Sequence, residues 1–193
     1  MEDEIELTDK CKKGESSAFK QVYNQYAGSL MAVCMRYAGN RMDAEDILHN
    51  AFLKIFRSFD KFTYKGKGSL KAWLIRIVIN ESVEFLRGKK FEQDSTVDVD
   101  GMNKDIEDTD VEMESDGSEL FTIPKERLTA FIGELPSGYR TVFNLYVFEG
   151  KSHKEIGDML GITERTSSSQ FSRARRLLRS KIMGYLNNGK HGK

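Results

Sequence analysis

Apolar residues recur every three or four positions along most of the chain, the period of a helix with one buried face. Between residues 16 and 37 they fall at Phe19, Val22, Tyr23, Tyr26, Leu30, Val33 and Tyr37, and Gly39-Asn40 interrupts the stripe. A second stripe holds Ala44, Ile47, Leu48, Ala51, Phe52, Ile55, Phe56 and Phe59. Asp60 to Gly68 breaks the period with glycines and lysines and predicts a loop. Ser69 suits an N-cap, and Leu70, Trp73, Leu74, Ile77 and Val78 carry a third helix to about Arg87, with Gly88 as its end.

The second half predicts four shorter helices. Pro124 and Pro136 each suit a first helical turn, running to Glu134 and to about Phe148. Ser152-His153-Lys154-Glu155 has the Ser-x-x-Glu spacing of a capping box and opens a helix to Leu160. Gly161-Ile162-Thr163 forms a tight turn with Thr163 as the next cap, and Phe171, Ala174, Leu178, Ile182 and Tyr185 line one face of the last helix. The expected fold is all-α, in two small helical modules spanning residues 10–90 and 123–186. The apolar residues of 91–122 show no sustained period, so this segment reads as a flexible linker, the only connection expected between the modules.

Charge sharpens this division. The 193 residues carry 30 Lys+Arg and 30 Asp+Glu, a formal net charge of zero. By segment the balance is −5 for residues 1–9, +9 for 10–91, −11 for 92–119 and +7 for 120–193. Two basic helical modules around an acidic tract suit a polyanionic partner, although solvated surface charge gives the same count. Cys11 and Cys34 are too few for a disulfide framework or a four-ligand zinc site. No apolar run approaches the ~20 residues that span a bilayer, and the acidic start lacks a signal pattern. A cytoplasmic protein without membrane insertion is expected.

Two constellations carry candidate chemistry. Ser152 to about Arg176 has the parts of a helix-turn-helix: a capped short helix, a Gly-containing turn and a second helix. Ser152, Arg165, Thr166, Ser168, Ser169, Gln170, Ser172, Arg173 and Arg176 then form its duplex-binding set. Arg pairs with guanine, Gln with adenine, and short hydroxyls let the helix sit deep in a major groove. A plain helical hairpin with a solvated polar face has the same pattern. In the loop, Phe59, Phe62 and Tyr64 alternate with Lys61, Lys65 and Lys67, ahead of Ser69, Trp73, Arg76, Asn80 and Arg87. Aromatic faces stack on unpaired bases while lysines hold the strand's phosphates. The alternative is that the aromatic residues close the core. Asp46 with His49 or Asn50 has the spacing of metal ligands on a helix, but no second pair completes a site, and acids early in a helix ordinarily complement its dipole. No phosphate-binding glycine loop or catalytic dyad is present, and no metal or cofactor is expected.

Asp43-Ala44-Glu45-Asp46-Ile47-Leu48, Ala51-Phe52-Leu53-Lys54 and Lys71-Ala72-Trp73-Leu74-Ile75-Arg76-Ile77 resemble region 2 of the extracytoplasmic-function (ECF) sigma factors. Leu135-Pro136, Tyr139-Arg140, Phe148-Glu149-Gly150-Lys151-Ser152, Leu160-Gly161-Ile162 and Ser172-Arg173-Ala174-Arg175-Arg176-Leu177 resemble region 4. The resemblance implies a dissociable, non-enzymatic subunit of bacterial RNA polymerase that recognises promoters. It implies that Asp46, His49, Asn50, Leu53 and Arg57 dock on the clamp helices of the polymerase β′ subunit. The loop and the helix behind it would meet the −10 element as a single strand, the last helix would enter the −35 groove, and the second module would touch the β flap. An anti-sigma factor is a further implied partner. The chain departs from the family pattern at Ser167, usually apolar, at Ser168 and Gln170, often basic, and at His49-Asn50, commonly Gln-Glu. The other readings are a stand-alone helix-turn-helix regulator and, resting only on Asp46 and His49, a metal-dependent enzyme.

Overall fold

The computed structural model describes residues 4–93 and 123–190. Among them the regular structure is helical: α1 (Glu4–Lys12), α2 (Ser16–Ala38), α3 (Arg41–Arg57), a 3-10 turn (Phe59–Lys61), α4 (Ser69–Gln93), α5 (Lys125–Gly133), α6 (Ser137–Val147), α7 (His153–Leu160) and α8 (Glu164–Lys190). Most of the acidic linker lies outside the described residues. Its first positions, 91–93, belong to α4, which runs past Gly88 because a lone glycine weakens a helix without ending it.

The first module packs α2, α3 and α4 around Val22, Leu30, Ile47, Ile55, Leu70, Leu74 and Val78, all at most 0% exposed. Their i, i+3 and i+4 spacing puts them on facing stripes, as the sequence predicts. Tyr23, on the same sequence stripe, stays 47% exposed. The module starts earlier than residue 10. Leu7 and Cys11 of α1 are buried in this core, a contribution that two apolar residues among charged neighbours do not advertise.

The helix ends follow local chemistry. Asn40 caps α3 by accepting from the Asp43 N–H at 2.9 Å, and its own amide donates to the Asp43 carboxylate at 2.8 Å. Asp43 is therefore a buried partner of its own helix start. Pro124 and Pro136 take the cap position itself rather than the first helical turn, with extended ψ of 140° and 142°.

Two clusters organise the second module. Phe131, Leu135, Ala174 and Leu178 join α5 to α8. Val142, Leu145 and Ile156 pack with Tyr37, Ile79 and Val83 of the first module. The modules therefore share a core, beyond the linker connection that the sequence predicts. The last carbonyls of α2 seal this seam. Arg36 O accepts from Asn144 Nδ2 at 2.8 Å, Tyr37 O from Arg140 Nε at 2.8 Å, and Ala38 O from Arg140 Nη2 at 2.8 Å. A helix leaves its final carbonyls without partners of its own, and side chains of α6 supply them here. Arg140 Nη1 also donates to Gly133 O at 2.8 Å and Leu135 O at 2.9 Å. Burial lowers the Arg140 guanidinium pKa, and the Asp43 carboxylate opposes that shift. Nearby, Arg36 pairs with Glu149 at 2.8 Å and lies 4.3 Å from the Phe148 ring.

Candidate nucleic-acid interface

The helix-turn-helix forms as its spacing predicts. Ser152 Oγ accepts from the Glu155 N–H at 3.2 Å, and the Glu155 carboxylate accepts from the Ser152 N–H at 2.9 Å, completing the capping box. The Ser152 N–H, then Lys151 and the Ser152 hydroxyl, all donating to the Glu155 carboxylate, hold its carboxyl down at about 2. Gly161 ends α7 at φ +68°, a left-handed conformation, and Thr163 caps α8 by accepting from the Thr166 N–H at 3.0 Å. A Cβ at Gly157 would lie 2.8 Å from Ile162 O, so Gly157 lets α7 approach the turn closely. The sequence reading missed that role, whose signal was a glycine inside an otherwise regular short helix.

Arg165, Ser168, Ser169, Ser172 and Arg176 are exposed on α8, while Thr166, Gln170 and Arg173 are half-buried. Thr166 Oγ1 lies 2.8 Å from the capping Thr163 hydroxyl, and Arg173 Nη1 donates to Tyr139 OH at 3.3 Å. Ser152 is exposed, with its hydroxyl engaged in the cap. Ser167 is fully buried, and its hydroxyl lies 3.0 Å from His153 Nδ1. That ring stacks on Tyr146 with centroids 4.6 Å apart. A buried hydroxyl is tolerated here because the imidazole satisfies it.

The loop before α4 divides differently from its sequence reading. Phe62 is 3% exposed and lies 5.2 Å from the Trp73 ring, which also meets Phe59 at 5.3 Å. Phe62 is therefore a core residue in this structure and offers no face to a base. Tyr64 and Trp73 are half-buried, while Lys65 and Lys67 are exposed. Arg76, Asn80 and Arg87 are exposed at helical intervals after Trp73. Ser69 is the first residue of α4 rather than its cap, and its Oγ accepts from the Lys65 N–H at 3.2 Å. The cap comes from far away in sequence. Glu4 accepts from the Gly68 N–H at 2.8 Å and from the Leu70 N–H at 2.6 Å, one on each carboxylate oxygen. No local pattern signals this pairing.

On α3, Asp46, His49, Leu53 and Arg57 are exposed along one face, with Leu53 at 42%, and Asn50 is half-buried. Among the described residues no group of three or more His, Cys, Asp or Glu side chains could hold a metal. Burial pushes the Cys34 thiol up to about 12, which makes it a core residue rather than a nucleophile. No described helix is long and apolar enough to cross a membrane.

Comparison with known proteins assigns these modules. Residues 22–92 match the model for sigma-70 region 2, and residues 125–178 match that for sigma-70 region 4. The chain belongs to the sigma-70 family and is an RNA polymerase sigma factor of the ECF group. It is 25% identical to the ECF RNA polymerase sigma-E factor of Haemophilus influenzae over 91% of this chain and 93% of that protein. It is 29% identical to the ECF RNA polymerase sigma factor SigW of Bacillus subtilis over 89% of this chain and 92% of the relative. Among solved structures it is similar to the sigma factor RpoE from Bartonella quintana, crystallised with the anti-sigma factor NepR. That likeness covers 86% of this chain and 96% of the other at 23% identity and a TM-score of 0.47. Sigma factors are not in general enzymes.

Proposed function

We propose that the chain binds core RNA polymerase through the α3 face of Asp46, His49, Asn50, Leu53 and Arg57, and two parts of the promoter through its two modules. The observation that carries this reading is the exposed face of α8, which presents arginines and short hydroxyls from a capped helix-turn-helix. That face suits the −35 duplex, where Arg165 and Arg176 contact bases or phosphates. The basic loop and α4 suit an unpaired −10 strand, with Tyr64 and Trp73 as stacking groups, Lys65 and Lys67 on phosphates, and Arg76, Asn80 and Arg87 along the strand's path. Phe62 supports Trp73 from beneath. The protein works in the cytoplasm without a catalytic step of its own, and an anti-sigma factor is a further partner.

The test is association with bacterial core polymerase, read by co-elution on size exclusion at moderate salt. A stoichiometric complex that Arg57→Glu or Leu53→Asp abolishes supports the docking face. Failure to bind cognate core, together with tight binding to a palindromic duplex, would replace this reading with a stand-alone regulator.

A further inference from the structure

Ordering the loop between the 3-10 turn and α4 is unfavourable by itself. Gly66 and Gly68 sit at φ +125° and +87°, conformations that leave an unfolded glycine chain with much freedom to lose. The loop's own hydrogen bonds are few. Lys65 N–H reaches Ser69 Oγ, and the Ser69 and Ala72 amides reach the Gly66 and Gly68 carbonyls. With the Ser69 hydroxyl turned toward Lys65, it does not cap the Gly68 and Leu70 amides.

Glu4 of α1 supplies that cap from more than sixty residues earlier in the chain. Its two carboxylate oxygens each take one of these amides. Such charge-assisted bonds at a helix start are stronger than neutral ones, and the dipole of a 25-residue helix reinforces them. Glu4 is itself held firmly. Its carbonyl accepts from Thr8 Oγ1 at 2.6 Å, and the buried Leu7, Thr8 and Cys11 fix α1 in the core. The carboxylate also lies close enough to Tyr26 to help raise that hydroxyl's pKa, after the larger effect of burial.

The geometry points to Glu4 as a positioning residue for single-strand recognition: it fixes the register of the loop that presents Tyr64, Lys65 and Lys67. This rests on the −10 role proposed above. Glu4 touches no DNA and acts only through the two loop amides.

The experiment uses the full chain bound to core polymerase, with wild type compared against Glu4→Gln and Glu4→Ala. A fluorescent single-stranded oligonucleotide carrying the −10 sequence and a duplex carrying the −35 sequence are the probes. Gln keeps one acceptor and loses the charge, so about five- to tenfold weaker single-strand binding is expected, with a larger loss for Ala. Duplex binding and polymerase association should stay within about twofold, because neither uses the loop. Hydrogen exchange at the Gly68 and Leu70 amides should accelerate in both variants while the rest of α4 keeps its protection. Equal single-strand affinity in all three proteins would overturn the inference alone. Tighter binding by the variants would also overturn it, by making Glu4 a competitor of phosphate. A wild-type complex that ignores the single strand would remove the −10 reading and this inference with it.

Discussion

Gly39 ends α2 directly against Arg140: a Cβ at Gly39 would lie 2.5 Å from Nη1 and 2.7 Å from Cζ of the guanidinium. Gly39 also sits at φ +78°, where an L side chain is strained. Gly39→Ala should therefore lose about 2–4 kcal/mol, combining left-handed strain with displacement of the guanidinium. Gly28→Ala, inside the same helix with nothing within 4 Å, should gain about 1 kcal/mol. Urea unfolding of the two variants checks the contrast.

Arg140 joins four carbonyls from two modules, a task that needs a planar fork. Arg140→Lys keeps the charge but places a single ammonium among them. The expected loss is about 2–4 kcal/mol, with a larger radius of gyration by small-angle scattering as the seam loosens. An unchanged radius would mean that the apolar cluster alone holds the modules together.

The loop's aromatic residues separate by role. Phe62→Ala removes a buried ring from beneath Trp73 and should cost about 3–4 kcal/mol. Tyr64→Ala, half-buried at the edge of the same core, should cost less than Phe62→Ala while weakening single-strand binding. Thermal melts beside oligonucleotide titrations would distinguish a packing residue from a contacting one.

Leu53 is exposed on α3, so Leu53→Asp should shift stability by no more than about 0.5 kcal/mol. Its co-elution with core polymerase should nonetheless be lost. A destabilised variant would assign Leu53 to the fold instead.

Acid should weaken the helix-turn-helix through Glu155. Its carboxyl is lowered from 4.5 to about 2, first by the Ser152 N–H and then by Lys151 and the Ser152 hydroxyl. A carboxyl lower in the folded state stabilises it above pH 4.5, and that contribution fades as pH falls through about 2. The melting-temperature gap between wild type and Glu155→Gln should be constant above pH 5 and close toward pH 2. Ser152→Ala should cost about 1 kcal/mol at neutral pH.

The helical periods, the capping box and the Gly161 turn were legible because each depends on neighbours within four residues. So was the polar face of α8, which needs only the helical period and the turn before it. The loop was legible as a basic and aromatic segment, but the side on which each ring would lie was not. Phe62 and Tyr64 alternate like strand residues, yet one is buried in the core and the other lies half-buried at its edge. The Glu4 cap joins residues 64 and 66 positions apart, and two of the Arg140 bonds link residues more than a hundred positions apart. Such pairings depend on how helices meet, which no local period encodes.

The seam between the modules is only partly satisfied. Tyr37 OH, Arg36 Nε and Asn144 Oδ1 are buried there without a hydrogen-bond partner among the described residues. Each atom forgoes hydration that it would recover on contact with water, a penalty of about 1–3 kcal/mol for a buried polar group. Parting the modules would expose apolar surface and break the Arg140 and Asn144 bonds to the α2 carbonyls, but it would return these three atoms to water. Their rehydration lowers the work of separation below what the buried contacts alone imply, and a partner that bound the separated form more tightly would need to supply only that remainder.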